Sequence, residues 1–302
     1  MTVSATHPGL TKRATVRGIV HIDGIGLHSG EAANLRIKPA PAGTGLVFQS
    51  PNHRGPIEVT PFNAVDTRQA VTLSNKNWKV QTVEHLLAAL AATGVTDAIL
   101  ELDSQEVPIL DGSSRIFVQE IQKVGVRELG AELEPIRLAQ AVWVVDGDRY
   151  IVALPSDSFR VTCTIDFPHP ELRGQSISMD LDSRTFLEEV VDARTFGFLT
   201  DVEALRKKGL IKGASADNAV VLTEDGYLDR EGLRFSDECI RHKVLDLVGD
   251  LYLMGRPIHA HVIAHRGGHG LDVALARLIL QRTAMDELSA RRQQKADAVV
   301  AL

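Results

Sequence analysis

Cysteine is scarce. Cys163 and Cys239 are the only two in 302 residues, and neither lies in a C-x-x-C pair. That excludes a disulfide framework and a thiolate zinc site, and it makes a reducing cytoplasm the expected compartment. A metal, if held, must be held by histidine and carboxylate. Long apolar runs are also missing: stretches such as HLLAALAATGV fall short of the roughly 20 residues that span a bilayer. The opening MTVSATHPGLTKRATVRG has no signal-peptide core. Positive charge is not in excess, and a formal net charge of -6 gives no electrostatic footprint for nucleic acid. No G-x-x-x-x-G-K-[ST] stretch occurs, which excludes a P-loop. DGIGLHSG has a Gly-x-Gly-x-x-Ser order, but without a strand-to-helix context it makes a poor dinucleotide fingerprint.

What is present is ordinary globular composition, 44% hydrophobic and 24% charged, enough for one large domain or two medium ones. ATVRGIVHI and EAANLRIKPA alternate apolar and polar residues around DGIGLHSG, which reads as a hairpin or loop between strands. TVEHLLAALAATG reads as a helix with Thr82 as its N-cap and Gly94 as its stop. DAILELD is a strand, VPILDGSS a turn, and SRIFVQEIQKVG a second helix ending at Gly125. RELGAELEP marks a boundary near 127–135. The second half repeats the order, with strands in IRLAQAVWVVDGDRYIVALP and FRVTCTIDF and a helix in SRTFLEEVVDA. After an interruption of about 35 residues come a helix at 241–255, the strand IHAHVIAH and a last helix, GLDVALARLILQRTAMDEL. The expectation is an α+β protein of two similar two-layer domains, residues 8–129 and 130–286, with a site in the cleft between them and a C-terminal tail at 287–302.

The 241–255 helix, RHKVLDLVGDLYLMG, sets His242, Asp246 and Asp250 four residues apart. Such residues stack on one helix face, where His242 and Asp246 can ligate one metal ion. The competing reading is a partly exposed helix with incidental polar residues. A third ligand is offered by TVEHLLAAL: His85 follows Glu84 in the first turn of a helix, where the dipole favours an ionised carboxylate. Glu84 could then deprotonate a water beside the metal, or the pair could be a simple cap with a surface histidine. In AHRGGHGLD, His269 sits between glycines just before a helix, suited to act as general acid or oxyanion stabiliser, with Asp250 as the partner that keeps it protonated. A flexible turn with an exposed histidine explains the same stretch. HAHVIAH holds a rival metal cluster, His259, His261 and His265. It lacks a carboxylate, and a solvent-facing strand edge accounts for it equally well.

TVEHLLAAL, DARTFGF, RFSDECIRHKVLDLVGDL and GGHGLD, in this order and spacing, resemble the zinc-dependent UDP-3-O-acyl-N-acetylglucosamine deacetylase family, which performs the committed step of lipid A biosynthesis in Gram-negative bacteria. The resemblance runs from about residue 11 to residue 285 and leaves no room for the dehydratase domain fused to some relatives. It implies two β-α-α-β sandwich domains with the active site between them. It implies Zn2+ held by His85, His242 and Asp246 (Fe2+ suits the same ligands), Glu84 as general base, and His269 oriented by Asp250 as the charged acid. Thr195 in ARTFGF would give a hydroxyl to the tetrahedral intermediate. Lys243 and Arg266 would meet the sugar or the diphosphate, Phe167 would stack on uracil, and Asp166 would lie nearby. The stretch 196–223 resembles an insert forming an apolar passage for the acyl chain, with Phe196, Leu205, Ile211 and Val221 lining it. The implied partner is the UDP-sugar substrate, acted on by a cytoplasmic monomer that needs neither nucleic acid nor a membrane span. Two readings from other classes stand beside this one. A phosphotransferase would bind nucleoside triphosphate without tightly held zinc, and a non-catalytic metal-stabilised binding protein would unfold on zinc loss and leave Glu84 without a role.

Overall fold

A computed structural model describes residues 12–300, with side chains as far as Asp286. The chain opens with β1 (Lys12–Val16), β2 (Val20–Ile25) and β3 (Ala32–Pro39). Period-two alternation puts Val20, Ile22, Leu35 and Ile37 inside and their neighbours outside. After β4 (Leu46–Gln49) and β5 (Ile57–Glu58), a meander of β6 (Ala64–Asp66), β7 (Thr72–Ser74) and β8 (Lys79–Gln81) leads into α1 (Glu84–Thr93). β9 (Ala98–Leu102) then enters the middle of the first sheet, whose order is β2-β3-β9-β4-β5. α2 (Arg115–Val124) buries Phe117, Val118 and Ile121 beside α1 and β2.

β10 (Val126–Glu132) turns back and pairs antiparallel with β1. The expected boundary at 129–130 therefore falls inside a strand. β11 (Ile136–Arg137), β12 (Val142–Asp146), β13 (Arg149–Pro155), β14 (Phe159–Ile165) and β15 (Gln175–Asp180) precede α3 (Ser183–Glu189). The interruption carries β16 (Phe196–Phe198), α4 (Leu199–Lys207) and β17 (Val220–Leu222). α5 (Glu238–Tyr252), β18 (Ile258–His265) and α6 (His269–Val300) follow. β18 is the central strand of the order β12-β13-β18-β14-β15, with β11 beside it. HAHVIAH is thus no sheet edge; its histidines lie on the half-exposed face of a middle strand. The architecture is mixed α+β, with several sheets and six helices among the described residues. Residues 8–11 of the expected first domain lie outside the described residues. Of the expected tail at 287–302, the backbone to Val300 continues α6; its side chains and residues 301–302 lie outside as well.

α1 shows how this arrangement positions chemistry. Gly94 ends it as expected, at φ 74° with its N–H reaching the carbonyls of Leu90 and Ala91. Thr82 does not cap it. At φ 59° its hydroxyl donates instead to Glu106 Oε1 at 3.1 Å, and Val83 holds the cap position without a side-chain bond. The helix is buried almost all round and lies against α5. At Gly249 the two meet backbone to backbone: a Cβ there would lie 2.0 Å from the Glu84 carbonyl oxygen. Tyr252 adds a tie at the other end, its hydroxyl donating to the Val95 carbonyl at 2.9 Å.

Gly249→Ala tests this approach. Alanine is the better helix former by about 0.8–1.0 kcal/mol, yet the clash is expected to win and cost about 1–3 kcal/mol. Thermal unfolding measured with metal content should show both falling. A stabilised variant would contradict the close packing.

Candidate active site

His85 comes from the first turn of α1, and His242 and Asp246 from successive turns of α5. All three are buried, and their ligand atoms lie within 4.8 Å of one another. His242 Nε2 is 3.2 Å and His85 Nε2 3.6 Å from Asp246 Oδ1, and the two imidazoles stand edge to face at 4.9 Å. His242 Nδ1 lies 3.1 Å from the Ala193 carbonyl. Donation there fixes the tautomer and turns the lone pair of Nε2 inward. Burial takes the His242 imidazole down to about 3, so the ring is neutral and ligand-competent. Burial works to raise Asp246, but His242, Lys243 and His85 overcome it and hold the carboxyl well below the usual range. Its Oδ1 is sealed from solvent with no hydrogen-bond partner. Two inward imidazole nitrogens and an orphaned carboxylate oxygen are a donor set that fits a divalent cation with positions left for water. Among the described residues this is the one such three-residue group.

A second cluster adjoins it. Glu84 is 3% exposed, and its Oε2 accepts the Val71 N–H at 3.1 Å. Burial raises its carboxyl, opposed by the nearby His269 and His85. His269 points Nδ1 at Asp250 Oδ2, 2.7 Å away, and Nε2 at Glu84 Oε1, 3.9 Å away. Burial alone would lower His269, but the Asp250 charge and hydrogen bond dominate and raise it to about 10. At neutral pH the ring is therefore a cation that can donate from both nitrogens.

Thr195 is half-buried and anchored through its backbone. Its N–H donates to Gly112 and its carbonyl accepts from Val220, both at 2.8 Å. Beside it, Arg194 grips fully buried Glu238 in a bidentate pair at 2.8 and 3.1 Å. Phe167 meets Phe196 edge to face at 5.8 Å, and Phe196 meets the His242 ring at 6.3 Å. The structure thus links these two aromatic residues to the ligand cluster. Lys243 turns inward and binds Asp246 Oδ2. Asp166 accepts from Gly174, and Arg266, at φ 50°, pairs with Asp148. Leu205, Ile211 and Val221 are half-buried on the 196–223 stretch. Two of the rival histidines have other partners: His261 bonds Thr162 at 2.8 Å and His265 stacks on Tyr150, whereas His259 Nδ1 is buried with no hydrogen-bond partner. A cavity of about 600 Å3, lined by Ala91, Phe159, Leu181, Val248 and Leu251, lies at the far end of α1 and α5 from the ligands.

Two features escaped the sequence. The DGIGLHSG loop is no phosphate cradle, because the N–H groups of His28 and Ser29 are both taken by Glu106, at 2.8 Å. The same loop receives the N–H groups of Lys212 and Gly213 on the carbonyls of His28 and Leu27, tying down the insert. His28 is itself buried, with neither ring nitrogen hydrogen-bonded. No local signal marks this, since Glu106 lies 78 residues from His28. Asp272, 3% exposed at the start of α6, is the other. Its position three residues after His269, on the same helix face, was the available signal.

Residues 13–281 match the family described as LpxC: UDP-3-O-acyl N-acetylglycosamine deacetylase. A UDP-3-O-acyl-N-acetylglucosamine deacetylase of Leptospira biflexa serovar Patoc is 49% identical over 288 residues, 94% of each chain. Proteins of the same name from Myxococcus xanthus and Idiomarina loihiensis are each 42% identical, over 294 and 298 residues. These alignments cover 97% of this chain and 94% and 97% of the relatives.

The His269–Asp250 geometry predicts a ring that stays protonated through neutral pH and loses its proton only as pH rises through about 10. Histidine-ring NMR titration reads this directly. In Asp250→Asn the value should fall by roughly one to three units. An unchanged value would detach Asp250 from the role.

Proposed function

The chain belongs to the UDP-3-O-acyl-N-acetylglucosamine deacetylase family, and from that premise we propose how its residues divide the work. It is a metal-dependent amide hydrolase of lipid A biosynthesis, releasing acetate from the 2-acetamido group of its UDP-sugar substrate. The observation that carries the residue assignment is the buried His85–His242–Asp246 group with Glu84 and His269 beside it. Zinc is the metal we assign to those three ligands. When bound, it lowers the pKa of water toward neutrality and polarises a carbonyl.

Glu84 is the general base. Its carboxylate is fixed by the Val71 N–H and has one oxygen left to take the proton of the attacking water. His269, held as a cation by Asp250, donates to the oxyanion and then gives its proton to the departing amine. Protonation is needed because an amide anion is a very poor leaving group. Thr195, fixed through its backbone on both sides, presents its hydroxyl to the same oxyanion. The products are acetate and the free 2-amino sugar nucleotide.

For the substrate, Phe167 stacks on uracil with Asp166 nearby, and Lys243 and Arg266 supply cations toward the sugar and diphosphate. Phe196, Leu205, Ile211 and Val221 line the passage for the acyl chain. The same reading divides the chain into two β-α-α-β sandwiches, 8–129 and 130–286, acting as a monomer in the cytoplasm. Both cysteines are free and buried, as suits a reducing compartment. No described helix is long and apolar enough to cross a membrane.

Acetate release from the UDP-sugar, measured with metal content, tests the assignment. Glu84→Gln should keep its zinc and lose at least about a hundredfold in turnover. His269→Ala should also keep its zinc, whereas His85→Ala, His242→Ala and Asp246→Ala should lose metal and activity together. Full turnover in Glu84→Gln would remove Glu84 as the base.

A further inference from the structure

Glu106 is buried and has no part in the chemistry of the site, yet both of its carboxylate oxygens are engaged by the protein's own chain. Oε1 accepts the His28 N–H at 2.8 Å and the Thr82 hydroxyl at 3.1 Å, and Oε2 accepts the Ser29 N–H at 2.8 Å. One arm leads to the catalytic helix. Thr82 stands two residues before Glu84 and enters α1 at a left-handed φ of 59°. The other arm leads to the insert. In the turn at 26–30, the Leu27 and His28 carbonyls accept the N–H groups of Gly213 at 3.0 Å and Lys212 at 3.2 Å. Immediately before these two residues, Ile211 has φ 51°. Left-handed backbone is disfavoured for β-branched side chains and persists only where the surroundings impose it. Among the described residues, Thr82 and Ile211 are the two β-branched residues with positive φ. Both are tied to the same carboxylate, one directly and the other through a single turn.

We propose that Glu106 is a positioning residue that sets the start of α1 and the 196–223 insert in one register, so that placement of Glu84 and selection of the acyl chain are fixed together. The inference rests on the reading of that insert as the acyl passage. Three donors converge on two oxygens, which a carboxylate satisfies and an amide does not, because the amide nitrogen is itself a donor. A buried N–H facing another donor is costly, so the turn would shift rather than stay in place. The insert is sensitive to such a shift. α4 buries none of its side chains, so the insert is held by the segments on either side of it. The loop after α4 is folded on itself: the Asn218 side chain accepts the Ser215 N–H and donates to the Gly213 carbonyl, both at 2.9 Å. Gly213 is where that loop meets the turn, since a Cβ on it would strike the Gly26 carbonyl oxygen. At its other end the insert reaches the ligand cluster, where Phe196 stands edge-on to the His242 ring.

Glutamine nearly matches glutamate in volume, which separates hydrogen bonding from packing. The zinc-loaded protein is assayed on the long-acyl UDP-sugar and on the same UDP-sugar without its acyl chain. Thr82→Val cuts the arm to α1 alone and should lower kcat about 10-fold on both substrates. Gly213→Ala disturbs the arm to the insert alone. Its kcat/KM should fall at least about 10-fold further on the acylated substrate than on the acyl-free one, through KM. Glu106→Gln should show both effects, a lower kcat on both substrates and a weakened preference for the acylated one. Parent kinetics in Glu106→Gln, or equal losses on the two substrates in Gly213→Ala, would overturn the proposal. Amide hydrogen exchange in the parent does not depend on how any variant folds. His28, Ser29, Lys212 and Gly213 should be protected to about the same degree and open as one unit, whereas fast exchange at 212–213 beside protected amides at 28–29 would show that the arms are not joined and sink the idea. Leu205→Ala with an unchanged acyl preference would instead defeat the passage reading, a failure distinct from this one.

Discussion

The backbone contact of α1 with α5 at Gly249 is the constraint on which the active site depends. Glu84 and His85 are fixed to the first turn of α1, while His242, Asp246 and Asp250 run along α5. A slide of one helix by the width of a methyl group would part His85 from Asp246, now 3.6 Å away. The apolar side chains around the contact, among them Leu86, Leu87, Leu90, Val244 and Leu245, supply burial and oppose rotation. They do not set the distance between the helix axes. A residue with no side chain does that, which is why the ligands converge without a long loop to carry any of them.

Around this packed pair, buried charges are held in matched sets. Arg194 with Glu238 fixes the segment that offers the Ala193 carbonyl to His242 and carries Thr195. Arg234 bonds Asp111 at 2.9 Å and the Asp192 carbonyl at 2.9 Å, closing the same segment from the other side. Such pairs add little net stability once desolvation is counted, but breaking one leaves an uncompensated charge, so they specify geometry strongly. Environment also separates two histidines of the same site. Burial holds His242 as the free base even though Asp246 and the Ala193 carbonyl work to raise it, whereas the charge and hydrogen bond of Asp250 outweigh burial at His269 and hold it as a cation. In the proposed assignment one residue type thereby serves as ligand and as acid.

Much of this was legible in the sequence because it is local. The four-residue spacing of His242, Asp246 and Asp250 fixes one helix face, and Gly94 signals the end of α1. What stayed hidden depends on distant pairings. Thr82 looked like a cap because nothing nearby in the chain shows that Glu106 will take its hydroxyl. RELGAELEP reads only as a boundary, and its strand character stays hidden because its partner, β1, lies more than a hundred residues earlier. HAHVIAH looked like an edge because central position in a sheet is set by which strands arrive on either side. The role of Thr195 came only through family resemblance; its backbone is positioned by Gly112 and Val220, neither of them a sequence neighbour.

The most direct test of the account is anomalous diffraction at the zinc absorption edge from crystals of the zinc-loaded protein. The account predicts one strong peak, bonded to His85 Nε2, His242 Nε2 and an oxygen of Asp246, with Glu84 and His269 beside it but not bonded. A peak on His259 and His261 instead, or none among the three buried ligands, would contradict it.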